Sequence, residues 1–189
     1  MVEPEIAYAN LDDIMDLAED FMVEVVQSVL NNGGREHLAV LERDISVLEN
    51  VQKPFPRMSY DEACVQLEAL GVPVDQDDDF GSPHETELTK QYDRPIMVHR
   101  YPTAVKAFYM KEDPENPARV LGMDMLAPEG YGEIIGSGQR EDSEDVLVRK
   151  IAEHGLNQDH FEWYLDLRRY GSVPHLSLIH ISEPTRLSA

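Results

Sequence analysis

The sequence predicts an α+β domain, an antiparallel sheet flanked by helices, and three observations predict it. Apolar residues recur at helical spacing from Leu11 to Leu70. β-Favouring runs then cluster between Pro95 and Gly138, separated by the turn-forming stretches DPENP and APEGYG. Helical periodicity returns only after those strands, so there is no regular β-α alternation of the kind that builds a doubly wound parallel sheet. With 189 residues and 42% hydrophobic content, the chain can bury one core, and no internal repeat divides it.

The elements follow in order. From the N-cap Asn10, LDDIMDLAEDFMVEVVQSVLNNGG places Leu11, Ile14, Leu17, Phe21, Val25 and Val29 on one helical face, and Gly33 ends it. A second helix is expected from Glu36 to Asn50, where Leu38, Leu41, Ile45 and Leu48 recur before Pro54 and Pro56. Ser59 and Glu62 form the S-x-x-E capping box of a third, which Gly71 closes. The polar stretch VDQDDDFGSPHETE has no apolar period and is expected as a surface loop within reach of a site; its acids Asp75, Asp77, Asp78 and Asp79 match no calcium loop. Strands are then expected at PIMVHRY, AVKAFYM, RVLGMDML and YGEIIGSG. Two helices close the order, one from Asp142 to His154 before Gly155 and one from Asn157 to Gly171.

Charge and cysteine usage narrow the function classes. Lys and Arg number 16 against 37 Asp and Glu, a net charge of −21 that repels a phosphate backbone over most of the surface and favours solubility. Cys64 is the only cysteine, in a helical pattern where a small buried residue is expected, so it suits a reducing compartment and not a catalytic thiol. No stretch approaches the ~20 apolar residues of a membrane span, and Met1 leads into VEPEIAY without a signal-peptide pattern. A cytoplasmic location is the expectation.

Two carboxylates stand out. Asp124 lies on one expected strand and Glu133 opens the next, and the intervening turn would bring them together across the ladder. Mg²⁺ is the natural counter-charge, since it binds one or two carboxylates and completes its shell with water and substrate phosphates; a pair of acids on a solvated hairpin face is the competing reading. In GEIIGSGQRE the glycines suit a bulge and close backbone approach. Glu133 and Arg140 are seven apart, so a perfect strand would point them to opposite sides, and a one-residue bulge at the glycines would return Arg140 to the Glu133 side. Its planar fork would then meet a carboxylate or amide, unless Glu141 or Asp142 occupies it. Glu3 and Glu5 share one face of an expected strand and could take an ammonium group. Lys106, Phe108 and Met110 are expected on one face of AVKAFYM, with Ala107 and Tyr109 on the other. The seven histidines include no pair at helical metal spacing, and neither a zinc cluster nor a Ser-His-Asp arrangement is present.

Taken together, MVEPEIAYANLDD, YPTAVKAFYM, GMDMLAPEGYGEIIGSGQRE and YLDLRRYGSVPH resemble, in order, segments of the class II catalytic domain of asparaginyl-tRNA synthetases. The resemblance covers residues 1 to about 175 and is loosest in a helical insert at about 31–95. It implies a partial class II aminoacyl-tRNA synthetase catalytic domain, with ATP, Mg²⁺ and asparagine as ligands, tRNA as acceptor and a homodimeric parent. Residue by residue, it makes Glu133 and Asp124 the acids that hold Mg²⁺ and ATP, and Arg140 the reader of the amino-acid side chain. Glu3 falls near the substrate's amino group, with Glu5 a weaker match, and Phe108 and Tyr109 form the pocket wall. Gly136 stands where related archaeal-type aspartyl enzymes have a serine. Aspartyl-tRNA synthetase, the related asparagine synthetase and a non-catalytic paralogue remain the alternatives.

The resemblance also sets expectations for the ends. The chain opens just beyond the place of motif 2, so the α-phosphate arginine, motif 1 and the anticodon-binding barrel are expected to be missing. After VPH, the glycine-rich Glu-Arg segment of motif 3 gives way to LSLIHISEPTRLSA, which resembles sequencing-adapter read-through. A truncated, inactive piece is expected, with residues 176–189 a non-family tail, exposed and poorly ordered.

Overall fold

The computed structural model describes residues 1–75, 78–171 and 173–180. Its six-stranded sheet is built from β1 (Glu5–Ala7), β2 (Arg57–Ser59), β3 (Ile96–His99), β6 (Gly122–Ala127), β7 (Gly132–Gln139) and β8 (His175–His180) in the order β1-β8-β7-β6-β3-β2. Every pairing is antiparallel except the parallel pair β2 and β3. That parallel pair arises because α4 (Tyr60–Ala69) and α5 (Ser82–Thr89) carry the chain across a face between the two strands. A two-stranded ribbon, β4 (Glu112–Asp113) and β5 (Asn116–Val120), stands apart.

Each face of the sheet has its own helical cover. On one, α1 (Leu11–Val29) lays Leu11, Ile14, Met15 and Ala18 against Met97, Met123, Met125, Ile135, Leu176 and Leu178. Asn10 caps α1 with a capping box completed by Asp13. The buried stripe runs through Met15 and Ala18, whereas Leu17, Val25 and Val29 of the expected stripe are exposed, because the helix turns its Ile14–Ala18 edge to the sheet. On the other face, Tyr60, Cys64, Leu67 and Leu88 of α4 and α5 pack on Ile96, Val98 and Leu126. A third cluster joins α6 (Glu144–Glu153) and α7 (Glu162–Arg169) through Leu147, Ile151 and Leu165.

Several boundaries differ from expectation. The first helix passes through a π-helical stretch at Leu30–Gly34, where Gly33 has φ +85°, before α2 (Arg35–Val40). The helix expected from Glu36 to Asn50 is two pieces, α2 and α3 (Ser46–Glu49), parted near Glu42, whose φ is positive. The acidic "loop" contains α5, started by Ser82 and Pro83 at positions where a proline lacks no needed N–H. Of its acids, Asp77 lies outside the described residues. The helix expected from Asn157 opens as a 3₁₀ turn, Gln158–Phe161.

The largest correction concerns the tail. Residues 175–180 form β8, wedged between β1 and β7, with Leu176 and Leu178 buried. The segment lacks a helix cap but alternates Leu176 and Leu178, which face α1, with Ser177 and Ile179 on the opposite side of the sheet, and so fills an interior strand position. The rest of the expected tail, 181–189, lies outside the described residues.

Candidate active site

The hairpin of β6 and β7 supplies the acids. Its turn, Pro128–Tyr131, takes Glu129 and Gly130 through positive φ. Asp124 pairs with Gly136 and Leu126 with Glu133, so the two acids are diagonal neighbours on one face, not opposite one another. The register shifts between Met125 and Leu126, leaving Ile134 as the extra residue of a bulge. A bulge was expected at the glycines; it sits at Ile134 and has the same effect, turning Glu133 to the face of Asp124, Gly136 and Gly138.

Gly136 opens the space between the carboxylates. A Cβ there would stand 2.6 Å from Glu133 Oε1 and 3.9 Å from Asp124 Oδ1, so the acids converge above a residue with no side chain. A cavity of about 290 Å³ is lined here by Lys106, Tyr109, Asp124, Glu133, Gly136 and Arg140. The Arg140 guanidinium lies 4.7 Å from the Tyr109 ring, and its Nη1 donates to the Gly138 carbonyl at 3.0 Å. The acids offered by the competing reading are engaged elsewhere: Asp142 pairs with Lys111, and Glu141 accepts from the Asp142 and Ser143 amides. The fork of Arg140 is thus turned to the cavity, where an incoming carboxylate or amide oxygen can take it.

The other expected residues fall in different places. Phe108 packs on Phe161 at 4.9 Å and on Tyr164 at 6.2 Å between ring centroids, behind Tyr109 and outside the cavity lining. Glu5 pairs with Ser177, which pairs with Gly138, so Glu5 shares the cavity's face of the sheet; it is nevertheless exposed on edge strand β1. Glu3 precedes β1, is also exposed and does not line the cavity. The segment AVKAFYM is not a strand. Turn bonds from the Val105 amide to Pro102 O and from the Met110 amide to Ala107 O coil it, so Lys106 and Tyr109 line the cavity together instead of facing apart.

Lys106, Asp79 and Glu85 have no site role in the expectations from sequence. Lys106 donates to Asp124 Oδ2 at 2.8 Å and to Asp79 Oδ2 at 3.2 Å, and lies 4.0 Å from the Tyr101 ring centroid. Glu85 of α5 comes up under Gly132, its Oε2 2.7 Å from where a Cβ would be. The acidic run and AVKAFYM are the only sequence signals that could have found these residues.

Charge in the site is unbalanced. Burial raises the Asp124 carboxyl above its ordinary range despite the opposing pull of Lys106. Glu133 is pushed up to about 7, first by loss of hydration and then by the Asp124 charge. Glu85 rises for the same two reasons. Lys106 is held above its ordinary value because Asp124 and Asp79 together outweigh the cost of burying it. Among the described residues no group of three metal-ligating side chains occurs. Two converging carboxylates with room beside them suit Mg²⁺, which takes few protein ligands and keeps water or phosphate oxygens.

Comparison with known proteins assigns the family. The model of the class II tRNA synthetases (D, K and N) matches residues 1–178. The chain belongs to this family of class II synthetases. A relative from Koribacter versatilis named asparagine–tRNA ligase is 52% identical over 181 residues, covering 93% of this chain and 41% of the relative. The crystal structure of asparaginyl-tRNA synthetase from Pyrococcus horikoshii complexed with asparaginyl-adenylate superposes with a TM-score of 0.89 at 50% identity, over 93% of this chain and 40% of that one. An aspartyl-tRNA synthetase from Entamoeba histolytica, at 23% identity and TM-score 0.81, shares the class II fold. This synthetase segment spans about 41% of the length of the curated relatives it matches. The family match reaches Leu178, inside β8, so most of that strand belongs to it. No helix among the described residues is long and apolar enough to cross a membrane.

Proposed function

We propose that the protein carrying this segment ligates asparagine to its tRNA, activating the amino acid with ATP. The observation that carries the reading is one cavity in which two converging carboxylates face an arginine fork that has no acidic partner among the described residues. Asp124 and Glu133 would hold Mg²⁺, which would neutralise phosphate charge as the adenylate forms. Arg140, steadied on Tyr109, receives the side-chain amide oxygen of asparagine, and Gly136 leaves that side of the cavity open. Catalysis in this reading is mainly positioning and charge stabilisation. Glu3 and Glu5, on the cavity's side of the sheet edge, are assigned to the substrate's ammonium group once the strand is drawn in. A soluble cytoplasmic homodimer is the proposed parent, with tRNA bound outside this acidic segment.

Asparagine-dependent exchange of pyrophosphate into ATP by the full-length protein tests the assignment. Asparagine should support exchange and aspartate should not, and Glu133→Gln should lower the rate on the order of 100-fold or more. Exchange with aspartate in place of asparagine would overturn it in favour of an aspartyl enzyme. Absence of exchange with either would favour a non-catalytic paralogue.

A further inference from the structure

Lys106 occupies an unusual position. Its ammonium sits among Asp79, Asp124, Glu85 and Glu133, bonded to the first two and resting on the Tyr101 ring. Among the described residues it is the one basic group paired with Asp124, and its side chain is only 17% exposed. The segment bearing it is loosely tied: among the described residues, the backbone from Ala104 to Ala107 makes only local turn bonds, with firm anchors on either side at Thr103, which donates to Ala118 O, and at Phe108 and Tyr109, the first packed on Phe161 and the second accepting from the Glu141 amide. The Lys106 ion pairs therefore fasten the middle of this loop to the sheet.

We propose that Lys106 is a resident counter-cation that holds the place of a divalent metal at Asp124 and Glu133, and that metal binding displaces it and frees residues 104–107. The inference rests on the reading of those two acids as metal ligands. Two cations cannot share Asp124 at contact distance without strong repulsion, so the ammonium must move outward as the metal arrives. Because Phe108 follows the freed stretch and packs on Tyr109, which supports Arg140, metal loading would reach the amino-acid end of the cavity through the chain itself.

The test uses Mn²⁺ alone, titrated by electron paramagnetic resonance against the full chain, Lys106→Met, Lys106→Arg and Glu133→Gln. The expected result is loss of binding in Glu133→Gln, tightening of about tenfold or more in Lys106→Met, and no tightening in Lys106→Arg, which keeps the charge. Equal or weaker binding by Lys106→Met, with Glu133→Gln still losing the ion, would overturn the proposal and leave the metal site standing. Binding insensitive to Glu133→Gln, or absent from every form, would overturn both. A second readout needs no substitution: acetylation of Lys106, followed by mass spectrometry, should rise when Mn²⁺ is added to the unaltered chain. An unchanged or lower yield overturns the displacement.

Discussion

At Glu133 the balance of hydration and charge has a measurable sign. Its carboxyl titrates near 7 in the folded chain against an ordinary value of 4.5, so the folded state binds this proton more tightly than the unfolded state. Between those values, stability conferred by the protonated form is lost as pH rises. Melting temperature should therefore fall across that window for the metal-free chain, and Glu133→Gln should flatten the fall. The effect is damped because the side chain still touches water. Gly136 makes a second prediction at this scale. An alanine there would press its Cβ on the end of the flexible Glu133 side chain, so Gly136→Ala should weaken Mn²⁺ binding while shifting the melting temperature little. Arg140→Lys should lower asparagine-dependent exchange on the order of 100-fold, because an ammonium offers no planar fork to an amide oxygen.

Among the elements, β8 makes the plainest claim on stability. Leu176 and Leu178 are buried against Met123, Met125 and Ile135, so Leu178→Ala should cost about 2–5 kcal/mol in denaturant unfolding. A loss under about 0.5 kcal/mol would mean that β8 does not pack as described. The same strand shows where sequence reading stops. The hairpin of β6 and β7 was legible because turn residues and alternating apolar positions agree within a dozen neighbours, and Ser59 and Glu62 announced α4 as plainly. The apolar-polar-apolar run at Leu176–Leu178 carries no such local confirmation, since the flanking strands β1 and β7 make it an interior strand. AVKAFYM failed in the opposite way, its β-favouring residues overridden by turns after Pro102. Asp124, Glu133, Tyr109 and Arg140, expected from the sequence, line one cavity, whereas Lys106 as a partner of Asp124 is not legible there, because an ion pair bridging 18 residues leaves no trace in spacing.

For the whole molecule, two helical covers on one sheet explain why so acidic a chain can hold together. Most of the charge of −21 stays on the surface, and the acids buried outside the cavity are bonded, Glu19 and Asp113 to arginines and Glu141 to backbone amides, while methionines and branched residues fill both faces. Where acids and bases do meet, distant parts are tied: Arg43 of the insert pairs with Glu129 on the hairpin turn, and Arg119 of β5 pairs with Asp61 of α4 at 2.6 Å. Removing residues 175–180 should therefore replace a single cooperative thermal transition with a broad one, since β1 would lose its sole neighbour in the sheet. That dependence has a consequence in time. Among the described residues β1 pairs with β8, so this contact joins segments far apart in the chain and closes a long loop as it forms. Contacts of such long sequence separation form slowly, so Ile6→Ala in β1 should speed unfolding and leave the folding rate nearly unchanged in stopped-flow kinetics.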